Sequence, residues 1–329
     1  MSKTLVIGGT GFIGSRVVHR LLSDGHSIRC LVRASSRTDR IDNLPLEKVQ
    51  GELRDPASLS RAAEGCDSII HAGGISAWSD IDSPDMHPVV VDGTRNVLDA
   101  AIKQGVARMV FVSSAAAMGP SSTAEPRDES AAFSERDAKG LNYVLAKREA
   151  ENLCLQAGSK GLETVIVRPA EVYGPGDRDL ITASNLIGLL KSSPVFVCRG
   201  GTSMVHVDDV AHSIVNALNH GHPGETYLLG GENLHHSELA RLLLELTGRR
   251  ETVITIPAVV LRLAGAVAKR CRMPFPFPPA VVPYATRYWF LDNTKAEREL
   301  KHNFRSARAT LTETLSWLKA TETTPFPSL

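Results

Sequence analysis

An excess of charge of either sign is what this sequence most plainly lacks. Its 37 Lys and Arg stand against 36 Asp and Glu, a formal net charge of +1 over 329 residues. That balance argues against nucleic acid or an anionic membrane as the main partner. Cysteine is sparse as well: Cys30, Cys66, Cys154, Cys198 and Cys271 are scattered without C-x-x-C spacing. The pattern excludes a disulfide framework and suits free thiols in a reducing compartment. No His or Cys cluster has metal-ligand spacing, so no metal is expected, and the His235-His236 pair reads as helix surface. Long apolar runs are missing too. The most apolar helical stretch, "PAVVLRLAGAVAKRC" (257–271), is too short to span a bilayer and is interrupted by Arg262. It reads as a buried or partner-facing helix, with an interfacial position as the alternative. The opening "MSKTLVIGGTG" shows no basic leader followed by an apolar core. The expectation is a cytoplasmic protein.

What is present is a globular composition, 43% hydrophobic and 22% charged, in a chain long enough for two lobes. The first half alternates short β-rich runs with helical patterns. Residues 3–9, 27–33, 48–51, 68–74, 109–115 and 163–169 read as strands. They are rich in Val, Ile and Leu with few alternating polar positions, as strands buried on both faces require. Helical stretches such as "GSRVVHRLLSDG" and "DGTRNVLDAAIKQG" lie between them, each closed by a glycine. The repetition predicts an α/β fold, a Rossmann-type doubly wound parallel sheet. Beyond Pro169 the rhythm breaks up. "DLITASNLIGLLKSS" looks helical, "VHVDDVAHSIVNALNHG" runs a strand into a helix, and "ETYLLGG" supplies another sheet strand. The rest reads as a smaller, mostly helical C-terminal lobe. The expected division is 1–178 with 206–232 for the nucleotide-binding domain and 179–205 with 233–321 for the substrate lobe, leaving 322–329 as a frayed tail.

"VIGGTGFIGSRVV" places Gly8, Gly11 and Gly14 directly after the first strand and at the mouth of the first helix. Gly8 permits the tight turn, Gly11 lets backbone approach a pyrophosphate, and Gly14 lets helix and strand pack closely. The free N–H groups of the helix start then face the phosphates. In this context the pattern predicts dinucleotide binding, with Thr10, Phe12 and Ile13 completing the loop. An NAD-selective site would place an acid after the second strand to hold the ribose 2′-hydroxyl. Here Arg33 occupies that region, followed by Ser35, Ser36 and Arg37. Guanidinium groups can pair a 2′-phosphate, so NADP(H) is favoured, NAD(H) remains possible, and Arg33 as a solvated strand-end charge is the plainer alternative.

Tyr143 and Lys147, in "LNYVLAKREAEN", share one face of a helix and could act on the same object. Alone, that spacing carries no weight. Together with "GGTGFIG" (8–14), "GELRDPASL" (51–59), "HAGG" (71–74), "DGTRNVLDAA" (92–101), "FVSSAAAMG" (111–119), "RPAEVYGPGD" (168–177) and "VHVDDVA" (205–211), however, it forms a series in a recognisable order. Over almost its whole length the chain resembles the extended short-chain dehydrogenase/reductases, the NAD-dependent epimerase/dehydratase superfamily. Within them it is most similar to bacterial dihydroflavonol-4-reductase-like and 3β-hydroxysteroid dehydrogenase-like proteins, including some named hopanoid-associated sugar epimerases.

The resemblance implies a catalytic triad. Ser114 matches the serine that hydrogen-bonds the substrate oxygen, and Tyr143 matches the general acid/base. Lys147 matches the lysine that holds the nicotinamide ribose and depresses the tyrosine pKa. It also implies that Glu52, Leu53, Ala72, Gly73, Gly74, Ser113, Pro169 and Val172 line the cofactor site with Tyr143 and Lys147. Asp55 could border the adenine or cap the helix of "PASLSRAAEG", Gly73 and Gly74 could be a plain turn, and Asp208 or Asp209 is expected to cap the helix after "VHV". Two departures stand out. Val90 occupies the position of the family's usual Asn, and Ala117-Met118-Gly119 stands where "VYG" is common.

Three functions follow from the resemblance. The favoured one is an NAD(P)H-dependent reductase of a ketone or aldehyde, or dehydrogenase of a secondary alcohol. The others are a nucleotide-sugar epimerase and a non-catalytic cofactor sensor. The intact triad disfavours the sensor, Arg33 disfavours the epimerase, and Ala115-Ala116, where sugar dehydratases carry an acidic pair, disfavours dehydration. The Pro- and aromatic-rich 274–291 could line an apolar substrate pocket, or simply pack the lobe. A small-molecule substrate, an apolar carbonyl or alcohol, is the expected partner, and a homodimer is possible.

Overall fold

The computed structural model describes residues 2–271 and 281–321. Strands β1 (Lys3–Ile7), β2 (Ser27–Val32), β3 (Glu47–Gln50), β4 (Ser68–His71), β5 (Arg108–Val112) and β6 (Glu163–Pro169) alternate with helices. These are α1 (Phe12–Ser23), α2 (Pro56–Ala63), α3 (Gly93–Lys103), the short α4 (Glu135–Ala138) and α5 (Asn142–Ala157). The chain then passes through β7 (Glu171–Tyr173), α6 (Ala183–Leu190), β8 (Val195–Cys198), β9 (Gly201–His206) and α7 (Val207–His220). Strand β10 (Thr226–Leu229) returns to the first sheet. The remainder is β11 (Glu232–His235), α8 (His236–Leu246), β12 (Val253–Ile256), α9 (Ala258–Cys271), α10 (Val282–Ala285), β13 (Tyr288–Trp289), α11 (Thr294–Leu300) and α12 (Ala307–Ala320).

The main sheet is seven-stranded and parallel, in the order β10-β6-β5-β4-β1-β2-β3. Apolar side chains leave both faces of its central strands, so each face needs its own cover. Val6, Ile70, Val110 and Val165 pack under Val17 and Leu21 of α1 and Val210 and Ile214 of α7. Leu5, Ile69, Met109 and Ile166 pack under Leu59 of α2, Val97 of α3 and Ala150 of α5. The strand order reverses between β1 and β4, and a crevice at that switch point is where ligands bind in such sheets.

Three strands stop two or three residues earlier than the sequence predicts. β1, β4 and β5 end at Ile7, His71 and Val112, against expected ends at 9, 74 and 115. Beyond those points the chain leaves the sheet to turn: Gly8 takes φ +86°, and Ser114 starts a 3-10 turn over Ala115–Met118.

The second lobe is mixed, not mostly helical. β9 is flanked by β11, β7 and β13, and β8 pairs with β12 in parallel. Partners of this kind lie far apart in sequence, as in Val195 beside Val253, and no local periodicity announces them. The cap of α7 also differs from expectation. His206 accepts the backbone N–H of Asp208 at 3.1 Å, while Asp208 and Asp209 occupy the first turn. His235 and His236 are not free helix surface. The His235 ring meets Tyr288 and Phe290 edge-on, and His236 Nδ1 lies 3.4 Å from Cys198 Sγ. The expected frayed tail and residues 274–280 of the Pro-rich stretch lie outside the described residues.

Candidate functional site

The glycine loop and the end of β4 meet over the sheet. A Cβ on Gly8 would stand 2.7 Å from the Ala72 carbonyl and 2.8 Å from Gly73 N, and one on Gly14 would stand 2.0 Å from Gly8 O. Side chains are therefore excluded where a dinucleotide backbone would have to come close. Gly11 caps α1 without any side-chain hydrogen bond, which leaves the first-turn N–H groups available to an anion. Phe12 is buried and Ile13 packs on the core, so Thr10 and the loop backbone form the exposed rim.

At the end of β2, Arg33 is exposed. Arg37 is exposed as well, but its guanidinium pairs with Asp179 at 2.5 Å. A third arginine, Arg40, turns inward and donates to Thr10 O at 2.8 Å and Gly176 O at 2.7 Å. It ties the phosphate loop to the segment after β7. Arg40 closes the same "RASSRTDR" run, but spacing alone cannot say which arginine turns inward.

After β3, Glu52 is exposed, and the Leu53 side chain packs against Gly93. Asn96 of α3, which the sequence did not single out, holds Leu53 O through its Nδ2 at 2.9 Å. Asp55 caps α2, accepting from Ala57 N at 3.0 Å and Ser58 N at 3.2 Å. Val90 lies buried in a π-helical turn (Pro88–Asp92). Its carbonyl accepts from Thr94 Oγ1 at 2.6 Å, and that hydroxyl is 3.2 Å from His71 Nε2. Burial first, and then the Lys147 charge, hold the His71 pKa down to about 3.

Ser113 and Ser114 follow β5. Ser113 N donates to Val167 O at 2.8 Å, while its buried hydroxyl has no partner among the described residues. Ser114 Oγ accepts from Ala116 N at 3.2 Å, and its hydroxyl acts to lower the Tyr143 phenol pKa. Lys147, one turn further along α5, is buried. Its Nζ donates to Val112 O at 3.3 Å and lies 5.9 Å from the Tyr143 ring centroid and 5.4 Å from that of Phe111. A Cβ added to Gly74 would come within 3.9 Å of that Nζ. Pro169 ends β6 in the core, and Val172 is buried in β7, its carbonyl held by Thr182 Oγ1.

The electrostatics depart from one expectation. Burial raises the Tyr143 phenol and Ser114 only partly opposes it, whereas the resemblance implies a phenol lowered by Lys147. Lys147 is pulled down to about 8, mainly by burial, with Glu151 the largest influence in the other direction. Glu151 is itself buried and accepts two hydrogen bonds from Arg168, at 2.8 and 2.7 Å. Neither Glu151 nor Arg168 stands out in the sequence.

These residues fit a nicotinamide dinucleotide. The cradle is bare of Cβ atoms at Gly8 and Gly14, a helix start faces it, and the buried Ser113 hydroxyl has no partner among the described residues. Among the described residues, no group of three or more His, Cys, Asp or Glu could hold a metal ion, and no helix is long and apolar enough to cross a membrane.

Known proteins are similar to this chain over most of its length. The chain is 32% identical over 325 residues to a Synechocystis sp. protein provisionally designated a dihydroflavonol 4-reductase, covering 95% of this chain and 94% of that one. It is 31% identical over 308 residues to a 4-hydroxy-2-methyl-3-oxo-4-farnesyl-3,4-dihydroquinoline-1-oxide ketoreductase of Stigmatella aurantiaca, covering 91% of each. The crystal structure of gox2253 superposes with a TM-score of 0.85 at 31% identity, covering 98% of this chain and 99% of that one. The model of the NAD dependent epimerase/dehydratase family matches residues 4–230, more than half of the chain. The chain belongs to that family.

Proposed function

We propose that the protein is an NADP(H)-dependent reductase of an apolar ketone or aldehyde, running as a dehydrogenase of the secondary alcohol in reverse. The observation that carries this reading is that the Tyr143 ring lies 5.9 Å from Lys147 Nζ and within the influence of Ser114, while burial raises its phenol. A neutral phenol is a proton donor, which is what the carbonyl oxygen requires as hydride reaches its carbon and an alkoxide forms. In this reading residues 1–178 and 206–232 hold the nucleotide and the remaining lobe holds the substrate. Gly8, Thr10, Gly11 and Gly14 receive the pyrophosphate, Arg33 and Arg37 the 2′-phosphate, and Leu53 the adenine. Gly74, Ser113, Lys147 and Pro169 border the nicotinamide end.

The bound nucleotide supplies a hydride. The chain itself does the rest. Ser114 orients the carbonyl oxygen, Tyr143 donates its proton to that oxygen, and Lys147 holds the ribose and favours the phenolate that remains. The ketoreductase relative supports the reaction class, and its farnesyl-bearing substrate supports an apolar one.

The test is a panel of bulky apolar ketones and aldehydes offered with NADPH. The expected result is stoichiometric loss of nicotinamide absorbance. Protein that retains NAD through purification and inverts nucleotide sugars with no net absorbance change would instead be an epimerase.

A further inference from the structure

A net charge near zero hides a local separation of apolar and cationic groups around α9. Of the eight exposed large apolar side chains among the described residues, six lie on β8, β12 and α9, which marks one surface and not a general scatter. On α9 they are Val259, Val260, Leu263 and Val267, spaced i, i+1, i+4 and i+8 along one arc. Val259 and Leu263 are 63% and 64% exposed. On the opposite side of the helix Leu261 is buried and Gly265 rests on Val282. Phe196 of β8 and Ile254 of β12 are register partners on one face, joined to the start of α9 through Pro257. Of the sequence readings of α9, the buried one is thus corrected, because its most apolar arc faces outward, while the partner-facing and interfacial ones stand.

Arg262 of the same helix lines a cavity of about 290 Å³ together with Arg136, Lys139 and Arg287, with Asp137 its only acid. None of these four cations has an ion pair among the described residues, and Arg287 acts with burial to lower the Arg262 pKa. The α9 sequence carries no carboxylate. Leu141 lines the cavity two residues before Tyr143, and both belong to one cluster with Tyr284. The cationic cavity therefore borders the cluster that holds Tyr143.

We propose that α9 seats this face on an anionic lipid bilayer. The apolar arc enters the headgroup–acyl boundary, and the arginine-lined cavity takes a headgroup phosphate. A helix of 14 residues with an apolar arc and basic flanks lies in the interface plane and does not span it. A second copy of the chain is a poorer occupant. A two-fold contact would bring the same cationic rim into its own interface, whereas an anionic surface neutralises it. The inference is independent of the reaction proposed above.

The test is co-sedimentation of the full chain with phosphatidylcholine vesicles, with and without phosphatidylglycerol. Light scattering would give the oligomeric state, and melting temperature and NADPH binding would report on the fold. Binding is expected only to the anionic vesicles, and should weaken with salt. Leu263→Glu with Val267→Glu, and separately Arg136→Glu with Arg287→Glu, should each reduce it about tenfold or more while NADPH binding persists. Equal or absent binding to both vesicle types would overturn the proposal. So would retained binding in either double variant, or an oligomer that Leu263→Glu dissociates in a protein that ignores vesicles.

Discussion

Lys147 and Glu151 stand four residues apart on α5, both buried, and Glu151 is in turn clamped by two hydrogen bonds from Arg168. The carboxylate counters the burial that pulls the lysine down to about 8. Glu151→Gln should therefore lower the Lys147 pKa further, so that NADPH affinity begins to fall at a lower pH than in the wild type. It should also cost about 3–5 kcal/mol of stability, because the Arg168 charge is left without its partner. Urea unfolding and cofactor titration across pH read the two effects separately. The sign for Lys147 is definite: its folded pKa lies below the ordinary 10.5, so its burial disfavours the fold below about pH 8 and is relieved as pH rises from there toward 10.5.

Tyr143→Phe removes only the proton donor. Turnover should fall by about 10²–10⁴, while NADPH affinity and melting temperature stay close to wild type. Near-normal turnover of an accepted ketone would exclude Tyr143 as the acid.

Cofactor choice should rest more on Arg33 than on Arg37. Arg33 has no ion pair among the described residues, whereas Arg37 is engaged by Asp179. Arg33→Asp should reduce the preference for NADPH over NADH about tenfold or more, given about 1.5–3 kcal/mol for a charged hydrogen bond. Asp179→Asn, by releasing Arg37, should leave NADPH binding unchanged or tighter. Calorimetric titration of both nucleotides decides it, and equal affinities unaffected by Arg33→Asp would remove the assignment.

His71 makes the fold acid-sensitive. Its folded pKa of about 3 lies far below the ordinary 6.5, so between those values the unfolded chain binds the proton and the folded chain does not. Stability should fall as pH drops below 6.5. His71→Asn should flatten that slope in a denaturation series while lowering stability at neutral pH, since Thr94 loses its imidazole partner.

The sequence made the sheet and the glycine loop legible because strands buried on both faces and a glycine cradle leave local patterns. The places where it overran are informative. Residues 8–9, 72–74 and 113–115 look like strand because they are small or apolar, yet they turn away to form the rim of the candidate site. Asp55 was legible only as a choice between cap and adenine contact, and its two backbone hydrogen bonds make it the cap. Arg40, Asn96, Glu151 and Arg168 were not legible. Each has a hydrogen-bond partner more than 16 residues away, and long-range pairing leaves no mark on local spacing, although Glu151 also stands four residues from Lys147. The mixed lobe was missed for the same reason.

Deuterium transfer tests the central claim most directly. NADPH deuterated at the hydride position would be incubated with the protein and a bulky apolar ketone, and the product analysed by mass spectrometry. The account predicts an alcohol labelled at the carbinol carbon, formed in step with NADP⁺ and nearly abolished by Tyr143→Phe. An unlabelled ketone across the panel, alongside inverted nucleotide sugars with no net NADP⁺, would contradict it.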